Sequence, residues 1–149
     1  MPSADDPFDL DRFVQAQAAK YDEALAELRA GQKRTHWSWY VFPQIRGLGS
    51  SAMSVRYAIS GLAEAQEYLA HPVLGPRLRE CVAAMNSHSG RSAYAILGEV
   101  DAHKFHSCVT LFARVVEPDS PFHLALAKYF SGSHDSATLA ILARQANLK

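Results

Sequence analysis

Thr35-His36-Trp37-Ser38-Trp39-Tyr40-Val41-Phe42-Pro43-Gln44-Ile45 is the stretch on which the fold class turns. Trp37, Trp39 and Val41 alternate as the side chains of a half-buried strand do. Thr35 in front and Pro43 behind instead frame a short helix. The segments on both sides read as helices and no partner strand is evident, so a lone strand would leave its backbone N–H and C=O groups unpaired. A short helix running into an extended turn is therefore expected, and with it an all-α chain.

Working outward, Phe13, Val14, Gln17, Tyr21, Ala24, Leu25 and Leu28 recur at spacings of three and four. That period predicts one helix from Leu10 to Ala30, with Asp9 as its N-cap and Gly31 as its terminator. Downstream, Arg46 to Ser51 (RGLGSS) is expected to be a loop. Ser60 is placed to cap a helix through Ala70, which His71-Pro72 closes. Leu74, Leu78, Cys81, Val82 and Met85 mark a helix to Asn86, and Ser87 to Arg91 a loop. A short apolar piece, Tyr94 to Leu97, precedes Gly98. Asp101 is expected to cap an amphipathic helix through Val116 that turns Phe105, Cys108, Val109 and Phe112 to the core. Phe122 to Phe130 and a final helix capped by Asp135 complete the pattern. The expectation is a single multihelical domain, residues 1–149, of about six to seven helices with short connections, preceded by a disordered N-terminus over residues 1–7.

The composition agrees. The 149 residues and 16.4 kDa fit one domain, with 48% hydrophobic and 20% charged residues. Fifteen Lys plus Arg balance fifteen Asp plus Glu, which removes the long-range field of a general nucleic-acid binder. Met1 to Asp6 is acidic and has no apolar signal region, and no apolar run approaches the ~18 residues of a membrane span. Cys81 and Cys108 have neither CxxC spacing nor zinc-site partners and read as small core hydrophobes. A cytoplasmic protein with no metal, no cofactor, no nucleic-acid partner and no membrane partner is expected.

Between Arg34 and Ser51 stand His36, Trp37, Trp39, Tyr40, Phe42, Gln44, Arg46, Gly47 and Gly49, including both tryptophans of the chain. Aromatic faces stack on rings, Arg and Gln supply directional donors, and glycines let backbone amides approach an anion. The same residues also describe a core plug, and GLG lacks the spacing of a phosphate fingerprint. On the Asp101 helix, His103, Ser107, Thr110 and Arg114 share one face, and Lys104 lies at the border of the apolar stripe. No GxSxG elbow accompanies the His103/Ser107 pair, and no HExxH motif occurs.

HWSWYVFPQIRGLGSS (36–51), SVRYAISGLAEAQEYLAHPVLGPRL (54–78) and DAHKFHSCVTLF (101–112) resemble the bacterial and fungal domain-of-unknown-function family 1810, and the likeness runs from about Phe8 to Leu142. The resemblance implies a compact all-helical domain and no known reaction, cofactor or partner. Some members carry a calpastatin label. Those inhibitory repeats are disordered and proline-rich, whereas this chain is core-forming with seven prolines, so the label is rejected. The positions matching the family pattern are His36, Trp37, Phe42, Pro43, Gln44, Arg46, Gly47, Gly49, Ser51, Lys104, Ser107 and Thr110. Ser38, His106 and Cys108 depart from it.

The resemblance favours a shared pocket. A small polar or anionic, nucleotide-like ligand, bound by an enzyme or a ligand-binding relative of one, is expected on Trp37, Trp39, Gln44, Arg46, Gly47, Gly49, Ser51, Lys104, Ser107 and Thr110. His36 and His103 are the candidate proton carriers. The competing expectation is a protein-interaction module whose surface is the Trp37/Trp39/Tyr40/Phe42 cluster. A concave pocket lined by His36, Gln44, Arg46 and Lys104 would favour the ligand, and an exposed, flat aromatic patch the partner.

Overall fold

The computed structural model describes residues 5–147. Its first two helices are Asp11–Ala18 (α1) and Tyr21–Ala30 (α2), where the period predicts one. The chain leaves helical geometry at Lys20 (φ −124°), which lets the two halves bury their stripes in different places. Phe13 of α1 packs its ring against Tyr57 and Tyr68, whereas α2 buries Ala24, Leu25 and Leu28 and lies against α6 (Leu74–Asn86). Asp9 is not the cap. It sits at φ +54°, and the Asp6 carboxylate accepts the N–H groups of Leu10 (2.8 Å) and Asp11 (2.9 Å) instead. Of the expected disordered N-terminus, residues 1–4 lie outside the described residues. Gly31 ends α2 as expected, at φ +76°, where its N–H reaches back to Leu28 O.

The fold-deciding segment forms a short helix, Ser38–Val41 (α3), followed by extended chain. One isolated parallel bridge joins Ile45 and Ile59. Beyond it come Ala52–Arg56 (α4), Leu62–Ala70 (α5), α6, Ala93–Leu97 (α7), Glu99–Ala113 (α8), Pro121–Phe130 (α9) and Ser136–Asn147 (α10). Among the described residues, ten helices thus replace the expected six to seven. The three extra are the split of the first, the α4 turn hidden in a stretch read without structure, and the apolar piece α7. Both short turns are capped by serine hydroxyls that accept an N–H, Ser51 from Ser54 and Ser92 from Ala95.

α8 is the central element. It packs against α3, α5, α7, α9 and α10 and buries Phe105, Cys108, Val109, Leu111 and Phe112. Edge-to-face and tilted aromatic pairs run through the core, from Trp37 to Phe42 to Phe105 and from Phe13 to Tyr68 to Phe112. α5 and α6 approach closely at Gly75, where a Cβ would stand 2.1 Å from the Leu69 carbonyl oxygen. Asp101 lies in the first turn of α8 and does not cap it; that position belongs to Gly98. Its carboxylate is thereby free to turn toward α3.

Candidate functional site

Glu27 organises the segment that precedes α3. It is buried on the Ala24/Leu28 stripe of α2 and accepts four hydrogen bonds. They come from Thr35 Oγ1 (2.6 Å), Arg34 N (2.8 Å), Thr35 N (3.0 Å) and Trp37 Nε1 (3.0 Å). Burial alone would raise its pKa, but these donors reverse the effect and bring it down from 4.5 to about 2. The carboxylate therefore stays ionised and fixes Thr35 to Trp37 at the foot of α3. The sequence carried a signal for this: Glu27 falls three residues after Ala24, on the face that Leu28 buries.

With that turn fixed, Lys33, His36, Trp37, Ser38 and Trp39 face Val100, Asp101 and Lys104 at the start of α8 across a hollow of about 290 Å³. Asp101 is shared by two ammonium groups. Lys33 Nζ lies 2.9 Å from Oδ2 and Lys104 Nζ lies 3.4 Å from Oδ1. The side chains of Lys33, Lys104 and Asp101 are only 6%, 15% and 20% exposed. Burial pushes the Asp101 pKa up, but the hydrogen bond and charge of Lys33, the charge of Lys104 and the nearby Ser38 hydroxyl hold it below the ordinary carboxylate range. Lys33 Nζ also donates to Thr35 O and sits 4.8 Å from the Trp37 ring centroid, while Lys104 Nζ sits 5.0 Å from that of Trp39. At the floor, buried Ser38 Oγ makes no hydrogen bond of acceptable geometry, although it stands near enough to Asp101 to help keep it ionised. Among the described residues, no other carboxylate lies within ion-pair distance of either lysine. One ammonium charge is left in excess in a sheltered, concave place.

Arg46 is elsewhere. Arg46 N donates to Ile59 O and Ile59 N to Gln44 O, and this pairing carries the chain after Pro43 toward α4 and α5, away from α8. Arg46 lines a separate hollow of about 300 Å³ with Arg12, Arg56, Ser60 and Glu64. The expectation that it shares a pocket with Lys104 is overturned. Arg12 at that place is a structural clamp: its guanidinium donates to the carbonyls of Phe8, Asp9, Arg56 and Ala58 and to buried Glu64.

The remaining candidates have local duties. A Cβ on Gly47 would meet Ile141 of α10, and one on Gly49 would meet Ser54 of α4, so neither glycine borders the lysine hollow. Ser51 caps α4, and Gln44 contributes its carbonyl to the bridge. Ser107 and Thr110 are buried in the joint between α8 and α10. Thr110 Oγ1 donates to His106 O and accepts Asp135 N–H, while Thr138 Oγ1 donates to Asp135 Oδ2 (2.6 Å) and accepts the Ser107 hydroxyl (3.1 Å). These two were expected at a pocket because polar side chains do not fill a core, but here they satisfy one another within it. His103 is exposed and packs edge-on to Tyr94 at 5.9 Å. Of the expected residues the hollow thus brings together His36, Trp37, Trp39 and Lys104, and beside them stand Lys33, Ser38 and Asp101. Lys33 stands in a polar connection whose sequence gave no hint of burial.

Among the described residues, no helix is long and apolar enough to cross a membrane, and no three His, Cys, Asp or Glu side chains gather as metal ligands would. No curated protein matches the chain. The crystal structure of the conserved hypothetical protein Rv1873 from Mycobacterium tuberculosis is 55% identical, superposes with a TM-score of 0.90, and is matched over 93% of this chain and 99% of that one. The model of the family described as "Protein of unknown function (DUF1810)" matches residues 7–142. The helical fold, the motif blocks on α3 to α6 and α8, and this near end-to-end match agree, and the chain belongs to the DUF1810 family.

Proposed function

We propose that the hollow between α3 and the first turn of α8 binds a small molecule through an anionic group, a phosphate or a carboxylate. The observation that carries this reading is the charge count inside it: two sheltered ammonium groups against one carboxylate. Buried charge is costly unless paired, and a bound anion would compensate the excess. Lys33 has donated to Asp101 and Thr35, and Lys104 only to Asp101. Of their six N–H bonds three therefore point to no protein acceptor, enough to hold two oxygens of an anion. Ser38 Oγ adds a further polar group at the floor, and His36, exposed at the rim, is placed to exchange a proton with a bound molecule.

The competing reading, an aromatic docking surface, loses its surface. Trp37, Tyr40 and Phe42 are buried, and of the four only Trp39 is partly exposed. The cysteines are free and buried, and burial pushes both thiols up, Cys81 to about 12. Unpaired thiols fit a reducing compartment such as the cytoplasm, and their high pKa values argue against a thiolate nucleophile.

A thermal-shift screen of phosphate, sugar phosphates, nucleotides and carboxylates tests the reading. A ligand at 100 times its Kd stabilises by about 2.7 kcal/mol, a shift expected for wild type and lost in Lys104→Gln. No shift with any anion, or an equal shift in the variant, overturns it.

A further inference from the structure

The anion hollow has an apolar lip that its own chemistry does not require. Val100, at the second position of α8, lines the hollow with a side chain that is 68% exposed. One turn on, His103 supports Tyr94 of α7, which is 52% exposed. Trp39 lines the same hollow, with Lys104 Nζ 5.0 Å from its ring centroid. Val has a lower helix propensity than Glu99 before it, so helix formation does not account for Val100. Ordinary surface exposure of single hydrophobics is common. Here, however, exposed Val100 and the Trp39 ring border the same ion-binding hollow.

We infer that the ligand is an anionic group attached to a planar, largely apolar body, with the head between Lys33 and Lys104 and the body between Val100 and the Trp39 edge. The inference rests on the anion reading above and makes Val100 a specificity determinant. It also assigns the ring-contacting role to Trp39 and the α8 lip, since Trp37 is enclosed by the core. A tenfold preference for such a body equals about 1.4 kcal/mol. At about 25 cal/mol per Å² this needs only about 55 Å² of apolar surface removed from water, well within the area of one phenyl ring.

Titration calorimetry with inorganic phosphate, methyl phosphate and phenyl phosphate separates head from body. Wild type should bind phenyl phosphate at least tenfold more tightly than methyl phosphate. Val100→Ser should cut that ratio below about threefold while leaving the affinity for inorganic phosphate unchanged. Equal affinities for the methyl and phenyl esters in wild type, or a ratio unmoved by Val100→Ser, overturn the inference and leave the anion site standing. If none of the three anions binds, the inference falls together with the reading on which it rests.

Discussion

Replacing Glu27 by glutamine should destabilise the protein by an amount that depends on pH in a defined way. Burial works against ionisation of this carboxyl, yet hydrogen bonds from the Thr35 hydroxyl, Arg34 N–H, Trp37 Nε1–H and Thr35 N–H win, and its pKa falls from 4.5 to about 2. A carboxyl held lower in the folded chain than in the unfolded one contributes stability above pH 4.5, and that contribution fades as the pH drops toward 2. At about 1.4 kcal/mol per pH unit of displacement, the full contribution is about 3 kcal/mol. An amide of the same shape keeps part of the hydrogen bonding but none of the charge, which makes about 2–3 kcal/mol the expected loss at pH 7.

The assay is urea denaturation of wild type and Glu27→Gln at several pH values from 7 to 3, taking the difference at each. Asp101 also titrates from a lowered pKa, but it is common to both proteins and largely cancels. The gap should be widest near pH 7, begin to close below pH 5 and fall under about 1 kcal/mol by pH 3. The indole emission of the variant should also change, because Trp37 Nε1–H loses a charged acceptor. A gap that stays constant across this range refutes the reasoning, since a charged hub must lose its advantage once protonated.

Other substitutions probe the remaining joints. Gly75→Ala should cost about 1–3 kcal/mol in thermal or chemical unfolding, because its Cβ would meet the Leu69 backbone at 2.1 Å and force α5 from α6. Thr138→Val keeps shape but strands Ser107 Oγ and removes a donor from Asp135, so a loss of about 1–3 kcal/mol is expected by the same measurement. Ser38→Ala should change the stability of the free protein by less than about 1 kcal/mol, since its buried hydroxyl makes no hydrogen bond and only lies near Asp101. A loss above about 1 kcal/mol there would show that the hydroxyl already serves Asp101 as a structural bond.

Helical class was legible because the alternation at Trp37, Trp39 and Val41 had no partner strand, and because single apolar stripes recur along the whole chain. Where α1 gives way to α2 was not legible, since Gln17, Tyr21, Ala24 and Leu28 keep their spacing through the break and only their burial partners change. The extra caps escaped for the opposite reason: the helices that Ser51 and Ser92 cap are five residues each, too short to show a period. Of the residues that line the hollow, His36, Trp37, Trp39 and Lys104 were legible from residue type and helix border position. Arg46, Gly47 and Gly49 were grouped with them by closeness in sequence, which the Ile45–Ile59 bridge undoes by turning the loop toward α4 and α10. Ser107 and Thr110 show that a polar face on a helix can be a buried seam when its partner helix brings matching hydroxyls. Lys33 was missed because its burial comes from Asp101 and Trp37, which are distant in sequence or outside its own period.

The most direct test of the anion site is a crystal structure of the protein grown or soaked with phenyl phosphate and refined at high resolution. The phosphate should lie within hydrogen-bonding reach, about 2.7–3.2 Å, of both Lys33 Nζ and Lys104 Nζ, with the ring against Val100. Density for the phosphate in the Arg46/Arg56 hollow, with none between the two lysines, would contradict it.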